Sequence, residues 1–380
     1  MSVVRRAAIV GVGQTEFSKN SGRSELQLAC EAVRAAIADA GLQPADVDGL
    51  VTFLQDTNDE LGVMRGVGIP EVRWTSRTPF GGGGASATIE HAAAAVASGA
   101  ADVVVVYRAF NERSGHRFGQ PGGQVSAPVM NLHMPFGLDT PAKMYSLWFQ
   151  RYMHVYGLTN EDFGRYSVVA RKHAATNPNA WFFGKPITLD DHQASRWIVE
   201  PILRLLDCCQ ESDGGVAIVV TTPERARDCA QTPIVVSAAT QGNTMDGEVL
   251  FNYYHDDITT FPEAEYCARQ LYGDAGLSPA DIDVAMIYEN FSPVVFYQLE
   301  SYGFCGRGEA KDFIADGQIE VGGATPVNTN GGLLGEAYIH GMNNLIEGVR
   351  QLRGQSCNQV PDAQHALVAA GRSAVILERG

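Results

Sequence analysis

The residues of this 380-residue chain that could do chemistry are scattered cysteines, a cluster of cations and a run of glycines. The seven cysteines are Cys30, Cys208, Cys209, Cys229, Cys267, Cys305 and Cys357. Their number is odd and no C-x-x-C pair occurs, so neither a disulfide framework nor a metal site is expected. Vicinal Cys208-Cys209 reads as core packing. Unpaired thiols suit a reducing compartment, so the expected location is cytoplasmic. Gly81 to Gly84 precede an alanine-rich segment, Ser86 to Ser98, that predicts a helix. Backbone N–H groups at the start of such a helix can hold an anion. Residues 112–205 supply Arg165, Arg171, Lys172, His173, Lys185 and Arg196, a local set of cations.

A local set is what an anionic ligand would need here. The net charge is -15, so the chain has no global field that draws in nucleic acid or anionic lipid. No apolar run approaches the roughly 18 residues that span a bilayer. The opening stretch Ala7 to Gly13 is too short for a signal peptide and predicts a buried first strand. Composition is ordinary for a globular protein, with 45% hydrophobic and 19% charged residues.

The elements that must position these groups are legible through an internal repeat. Asp39-Ala40-Gly41-Leu42-Gln43-Pro44-Ala45-Asp46-Val47-Asp48 recurs as Asp274-Ala275-Gly276-Leu277-Ser278-Pro279-Ala280-Asp281-Ile282-Asp283, identical at eight of ten positions. In each copy an apolar-periodic helix (Leu26 to Ala40, Ala264 to Ala275) meets a glycine that stops it. A proline turn and a strand follow, Gly49 to Leu54 or Val284 to Tyr288. Each copy also follows a β-rich start, Ala7 to Val12 or Ile234 to Ala239. The chain is therefore expected to be two α/β halves, residues 1–225 and 232–380, with mainly parallel, buried strands. Asp102 to Tyr107 predicts a fully buried strand. The stretch 112–205 reads as a long insertion, the usual place for a cover or binding loop.

A duplicated α/β chain with this repeat resembles the thiolase superfamily. Three motifs sharpen the likeness. Leu206-Asp207-Cys208-Cys209-Gln210-Glu211-Ser212-Asp213-Gly214-Gly215-Val216-Ala217 and Pro135-Phe136-Gly137-Leu138-Asp139-Thr140-Pro141-Ala142 resemble segments of the sterol-carrier-protein thiolases. Asn330-Gly331-Gly332 resembles the superfamily's glycine-rich active-site loop. The resemblance implies a thiolase fold, two duplicated βαβ halves in a five-layer αβαβα architecture with a long loop insertion. It also locates departures. Thiolases carry a nucleophilic cysteine at the start of the central helix, where this chain has Gly82 or Gly83. Their second cysteine falls in a segment that here reads Leu367-Val368-Ala369-Ala370-Gly371-Arg372-Ser373-Ala374. Tyr288, in Tyr288-Glu289-Asn290-Phe291, replaces an Asn or His, and Tyr338 replaces the His of Gly-His-Pro.

Without the cysteine, acyl transfer to the protein is lost. Enolate chemistry beside a thioester is not, because an aldol cleavage needs only a base, an acid and donors for the enolate oxygen. This pattern resembles the steroid side-chain-cleaving aldolases of the lipid-transfer-protein branch. The resemblance implies retro-aldol cleavage of a 17-hydroxysteroid acyl-CoA to a 17-oxo steroid and propionyl-CoA. Tyr288 would be the base on the hydroxyl and Tyr338 the acid for the enolate carbon. Gly82, Gly83 and Gly371 would bind the oxyanion, and Glu289, Asn290 and His340 would orient the phenols. Arg171, Lys172 and Lys185 would meet coenzyme A, which enters as part of the substrate, with no covalently bound cofactor. The implied assembly is a homodimer with a small OB-fold, zinc-ribbon-bearing partner that can be part of a hydratase. Two other readings stay open: a non-catalytic acyl-CoA or lipid-binding subunit, and a thiolase with a relocated cysteine such as Cys305.

Overall fold

Runs of β-branched residues make most of the strands, and glycines end the helices between them. The computed structural model describes residues 4–79, 81–120, 130–247 and 253–380; residues 121–129 of the expected insertion, Phe80 and residues 1–3 lie outside this set. The strands of the large sheet are β1 (Ala8–Gln14), β2 (Gly49–Phe53), β3 (Trp74–Thr78), β4 (Val103–Asn111), β5 (Asp213–Thr221), β6 (Ile234–Gln241), β7 (Val284–Ile287), β8 (His365–Ala369) and β9 (Ser373–Arg379). Among the described residues they form one sheet in the order β3-β2-β4-β5-β1-β6-β9-β8-β7. The principal helices are α1 (Glu25–Asp39), α2 (Ala85–Ser98), α3 (Pro141–Tyr156), α4 (Asn160–Thr176), α5 (Pro262–Ala275), α6 (Pro293–Ser301) and α7 (Met342–Arg353).

Alternation along the strands sorts the layers. Val104 and Val106 of β4, with Ile218 and Val220 of β5, face Ile89, Ala92 and Val96 of α2. Val236 of β6, with Val375 and Leu377 of β9, and the α7 residues Leu345 and Val349 belong to the same core. The intervening Val103, Val105 and Val219 turn to the opposite face, against Leu28, Val33 and Ala36 of α1. Ala238, Ile376 and Leu367 turn outward to a third core with α3, α4, α5 and α6. Five layers result, with α2 and α7 between the two halves of the sheet.

Two details differ from expectation. The halves are not separate sheets, because β1 meets β6 through Ala8–Val235 and Ile9–Ile234. Strand neighbours are also mostly antiparallel. β2 is parallel to β3 and β4, and β7 to β8, but β5 is antiparallel to β4 and β1, and β9 to β8 and β6. The reason for β9 is its connection. It follows β8 through a tight turn at Gly371 (φ 78°), and strands joined by a hairpin must run in opposite directions. β5 holds the matching place in the first half.

The repeat is a latch. Gly41 and Gly276 end their helices in the left-handed region. Asp46 and Asp281 each accept the backbone N–H three residues earlier at 2.8 Å. Asp48 then accepts the N–H groups of Asp102 (2.9 Å) and Val103 (2.8 Å) at the start of β4. Asp283 does the same for Gln364 (2.8 Å) and His365 (2.9 Å) at the start of β8. Replacing either aspartate by alanine orphans two backbone donors. We expect D48A and D283A each to lower the free energy of unfolding by about 1–3 kcal/mol, measured by urea denaturation.

Candidate active site

The parallel pairing of β7 with β8 delivers Tyr288 to the end of the sheet. Its N–H donates to Ala369 O (2.8 Å), and its carbonyl accepts from Gln298 Nε2 of α6 (2.7 Å). Tyr338 sits between the Asn330-Gly331-Gly332 turn and α7, with its N–H on Ser212 Oγ (3.2 Å). Fifty residues apart in sequence, the two phenol oxygens are 2.8 Å apart. Both line a cavity of about 470 Å³ together with Gly81, Gly82, Gly83, Asn290, His340 and Gly371.

Gly82 explains the missing nucleophile. A Cβ built there would lie 1.9 Å from Tyr288 Cε2 and 2.3 Å from its hydroxyl oxygen. The ring of Tyr288 thus fills the space into which a side chain at position 82 would project. Cys208 and Cys209 are in the cavity wall, but burial pushes both thiols far above their ordinary range. Cys305 is not in that wall, and burial pushes its thiol up to about 12. No thiolate therefore faces the cavity at neutral pH.

The sequence carries the same reading. Residues 251–375 match the family described as Thiolase C-terminal domain-like. The steroid side-chain-cleaving aldolase of Thermomonospora curvata is 59% identical over 372 residues, covering 96% of this chain and 95% of the relative. The chain belongs to the thiolase superfamily, in the branch of the steroid side-chain-cleaving aldolases. The 17-hydroxy-3-oxo-4-pregnene-20-carboxyl-CoA lyase of Mycobacterium tuberculosis is also 59% identical, covering 96% of this chain and 96% of the relative. The solved Ltp2-ChsH2(DUF35) aldolase superposes with a TM-score of 0.95 at 56% identity, covering 99% of this chain and 98% of the other.

Within this aldolase-family site the residues flanking the phenols divide their work. Glu289 does not touch them. Its Oε1 accepts from Tyr166 Oη of α4 (2.9 Å) and from Leu333 N–H (2.8 Å). A Cβ on Gly332 would stand 1.9 Å from that same oxygen, which is why the turn carries glycine. Asn328 completes the frame, bridging Ile287 N–H (2.7 Å) and Ile287 O (2.8 Å) like one more strand residue. Asn290 faces the cavity beside Tyr145, and its carbonyl accepts Cys209 N–H (2.9 Å). His340 has its ring edge-on to Tyr338, with centroids 5.3 Å apart.

The cations fall differently from their order in sequence. Arg171 lines the cavity, its guanidinium carbon 3.5 Å from the centre of the Phe182 ring. Lys172 and Lys185 lie outside the lining, Lys172 paired with Glu320 and Lys185 with its ammonium 5.8 Å from the centre of the Trp181 ring and its carbonyl accepting from Arg171 (2.8 Å). Arg196, one of the cations read in the insertion, lines the cavity too, as do Lys19, Arg113, Arg117 and Arg372, which were not singled out by sequence reasoning. Arg372 carried a signal, since it follows Gly371 in the inspected segment. Lys19, Arg113 and Arg117 are brought there from far along the chain and carried none.

Burial dominates the electrostatics. Both phenols are pushed well above 10 by loss of water, so neither is a phenolate at neutral pH. Burial lifts the Glu289 carboxyl to about 8 and lowers the Lys19 ammonium to about 8. Glu289 Oε2 is buried without a hydrogen-bond partner, which costs a carboxylate more than a neutral carboxyl.

Two outcomes follow from this geometry. G82A should displace the Tyr288 ring, and we expect a fall in turnover of about 100-fold or more, with the ring movement visible in a crystal structure. Glu289 binds its proton more tightly when folded, so its contribution favours folding below 4.5 and is lost as pH rises through about 8. E289Q should therefore flatten that part of the pH dependence, read as the difference in Tm between wild type and variant across the same window.

Proposed function

We propose that this chain is a carbon–carbon lyase that cleaves a β-hydroxyacyl-CoA by retro-aldol chemistry, releasing a 17-oxo steroid and propionyl-CoA from a 17-hydroxysteroid acyl-CoA. The observation that carries the reading is the 2.8 Å contact between Tyr288 and Tyr338 in a cavity with no room for a nucleophile at position 82. The relatives' names supply the substrate class.

Tyr288 accepts the proton of the tertiary hydroxyl as the bond between the ring carbon and the thioester α-carbon breaks. That carbon becomes a ketone, and the bonding pair passes to the α-carbon as an enolate. Tyr338 protonates the α-carbon. Since neither phenol is held as its anion, the transfers are coupled. As Tyr288 gains the hydroxyl proton it gives its own to Tyr338, which gives its own to carbon. One proton leaves oxygen, one arrives on carbon, and both phenols end neutral. N–H groups around Gly82, Gly83 and Gly371 stabilise the enolate oxygen. Arg171, with Lys19, Arg113, Arg117, Arg196 and Arg372, gives the mouth a positive field for the coenzyme A phosphates; Lys172 and Lys185 would act at longer range.

The working assembly would be a homodimer carrying a small OB-fold partner, supported by the DUF35 component in the name of the solved relative. Seven free thiols support a cytoplasmic setting.

The test is to incubate the chain and such a partner with the CoA thioester named for the mycobacterial relative, and to measure propionyl-CoA. We expect Y288F and Y338F each to lower kcat by about 100-fold or more with the fold intact. The rate should not climb between about pH 8 and about pH 10, as it would with a phenolate base. Binding without cleavage would favour a non-catalytic subunit instead.

A further inference from the structure

This inference rests on the retro-aldol reading. When the carbon–carbon bond breaks, negative charge collects on the thioester oxygen while both phenols are occupied with protons. A side-chain donor for that oxygen remains to be assigned. We propose that His340 is a further catalytic residue whose Nε2–H donates to the thioester oxygen as the enolate forms, in a tautomer fixed by a buried Arg108–Asp56 pair.

His340 sits in the left-handed backbone region (φ 50°), where a non-glycine residue needs support from its surroundings. The support is visible. Phe118 stacks on its ring (5.4 Å between centroids, 23°), Phe110 lies at 5.1 Å and Tyr338 stands edge-on at 5.3 Å. Behind it, Arg108 Nε donates to His340 Nδ1 (3.2 Å). Arginine has donors only, so Nδ1 must offer its lone pair and the proton of a neutral ring must sit on Nε2. Arg108 is itself fixed, with Nη1 2.8 Å from Asp56 Oδ2, and the two side chains are 2% and 0% exposed. Asp56 Oδ1 in turn accepts from the Asn58 N–H (2.7 Å) and Nδ2 (2.8 Å).

The free edge of the ring faces the cavity. A Cβ on Gly81 would be 3.3 Å from Nε2, and His340 lines the same wall as Gly81 to Gly83. Burial, with the nearby Arg108 charge, keeps the imidazole far below its ordinary 6.5, so it stays neutral. Nε2 then carries a proton and no lone pair. The ring cannot compete with Tyr288 as a base, and it offers one N–H in a fixed direction. A permanent cation behind the ring strengthens that donor without becoming a second acid. Breaking a buried ion pair is costly, which keeps Arg108 from turning away.

The experiment uses the chain with its partner protein. Two readouts are needed: cleavage of the hydroxyacyl-CoA, and exchange of the α-hydrogens of propionyl-CoA in D2O, which requires only enolate formation. We expect H340A to lower kcat and exchange together by about 100-fold or more, with propionyl-CoA affinity little changed, and H340Q, which keeps an N–H, to recover part of the loss. In 15N-histidine-labelled protein, His340 should remain the neutral Nε2–H form from about pH 5 to about pH 9, and R108M should let it titrate. Turnover of H340A close to wild type, a loss explained by weaker propionyl-CoA binding, or titration of His340 in the wild type would each overturn the assignment. A wild type that cleaves nothing overturns the retro-aldol reading and this inference together, whereas an active wild type beside an active H340A overturns only this one.

Discussion

Two groups cannot share one volume, and at position 82 that rule decides the chemistry of the site. The Tyr288 ring lies where any side chain at residue 82 would begin. Losing the nucleophile and gaining the phenol are therefore one structural event. Once the ring is there, its hydroxyl reaches Tyr338. The frame around Glu289 and Asn328 then serves to hold the ends of β7 and of the glycine turn so that this contact persists.

The surroundings of the phenols are consistent with that constraint. The cavity is walled by groups that burial drives toward neutrality: both phenols, Cys209, His340 and the carboxyl of Glu112. Arg113, Arg117, Arg171, Arg196 and Arg372 also line it, with Arg117 paired to Glu211, and the Arg108–Asp56 pair lies behind His340. Such a site suits a reaction in which charge appears only briefly, because fixed donors then act on the transient anion with little competing water.

Much of this was legible in the sequence. The ten-residue repeat gave the paired helix–turn–strand units, because capping and turn chemistry are local. Counting from Asn330 reached Tyr338, and the Tyr288-Glu289-Asn290-Phe291 run exposed Tyr288, because each motif is short and ordered. What stayed hidden depends on which strands lie side by side. Nothing local brings Arg108 of β4 against His340, or Lys19 into the cavity wall. Nothing local joins β1 to β6 and merges the two sheets. Glu289 reads as a companion of the phenols by adjacency, yet a strand turns successive side chains to opposite sides, and it faces the glycine turn instead. Lys172 reads as a binding cation beside Arg171, but neighbours on a helix do not share a face.

Either hydroxyl can be the donor in the contact between them, and the proposed relay gives it a direction. In that relay Tyr288 donates toward Tyr338 before cleavage; after each proton has moved one place, the bond runs the other way. The pair is then arranged for carbon–carbon bond formation, and both hydroxyls must swing about their C–O bonds before another cleavage can begin. The hydrogen installed on the thioester carbon is consequently never the one that left the same substrate molecule. It was lent by the protein, and the substrate's own hydrogen stays behind for a later molecule or is lost to solvent.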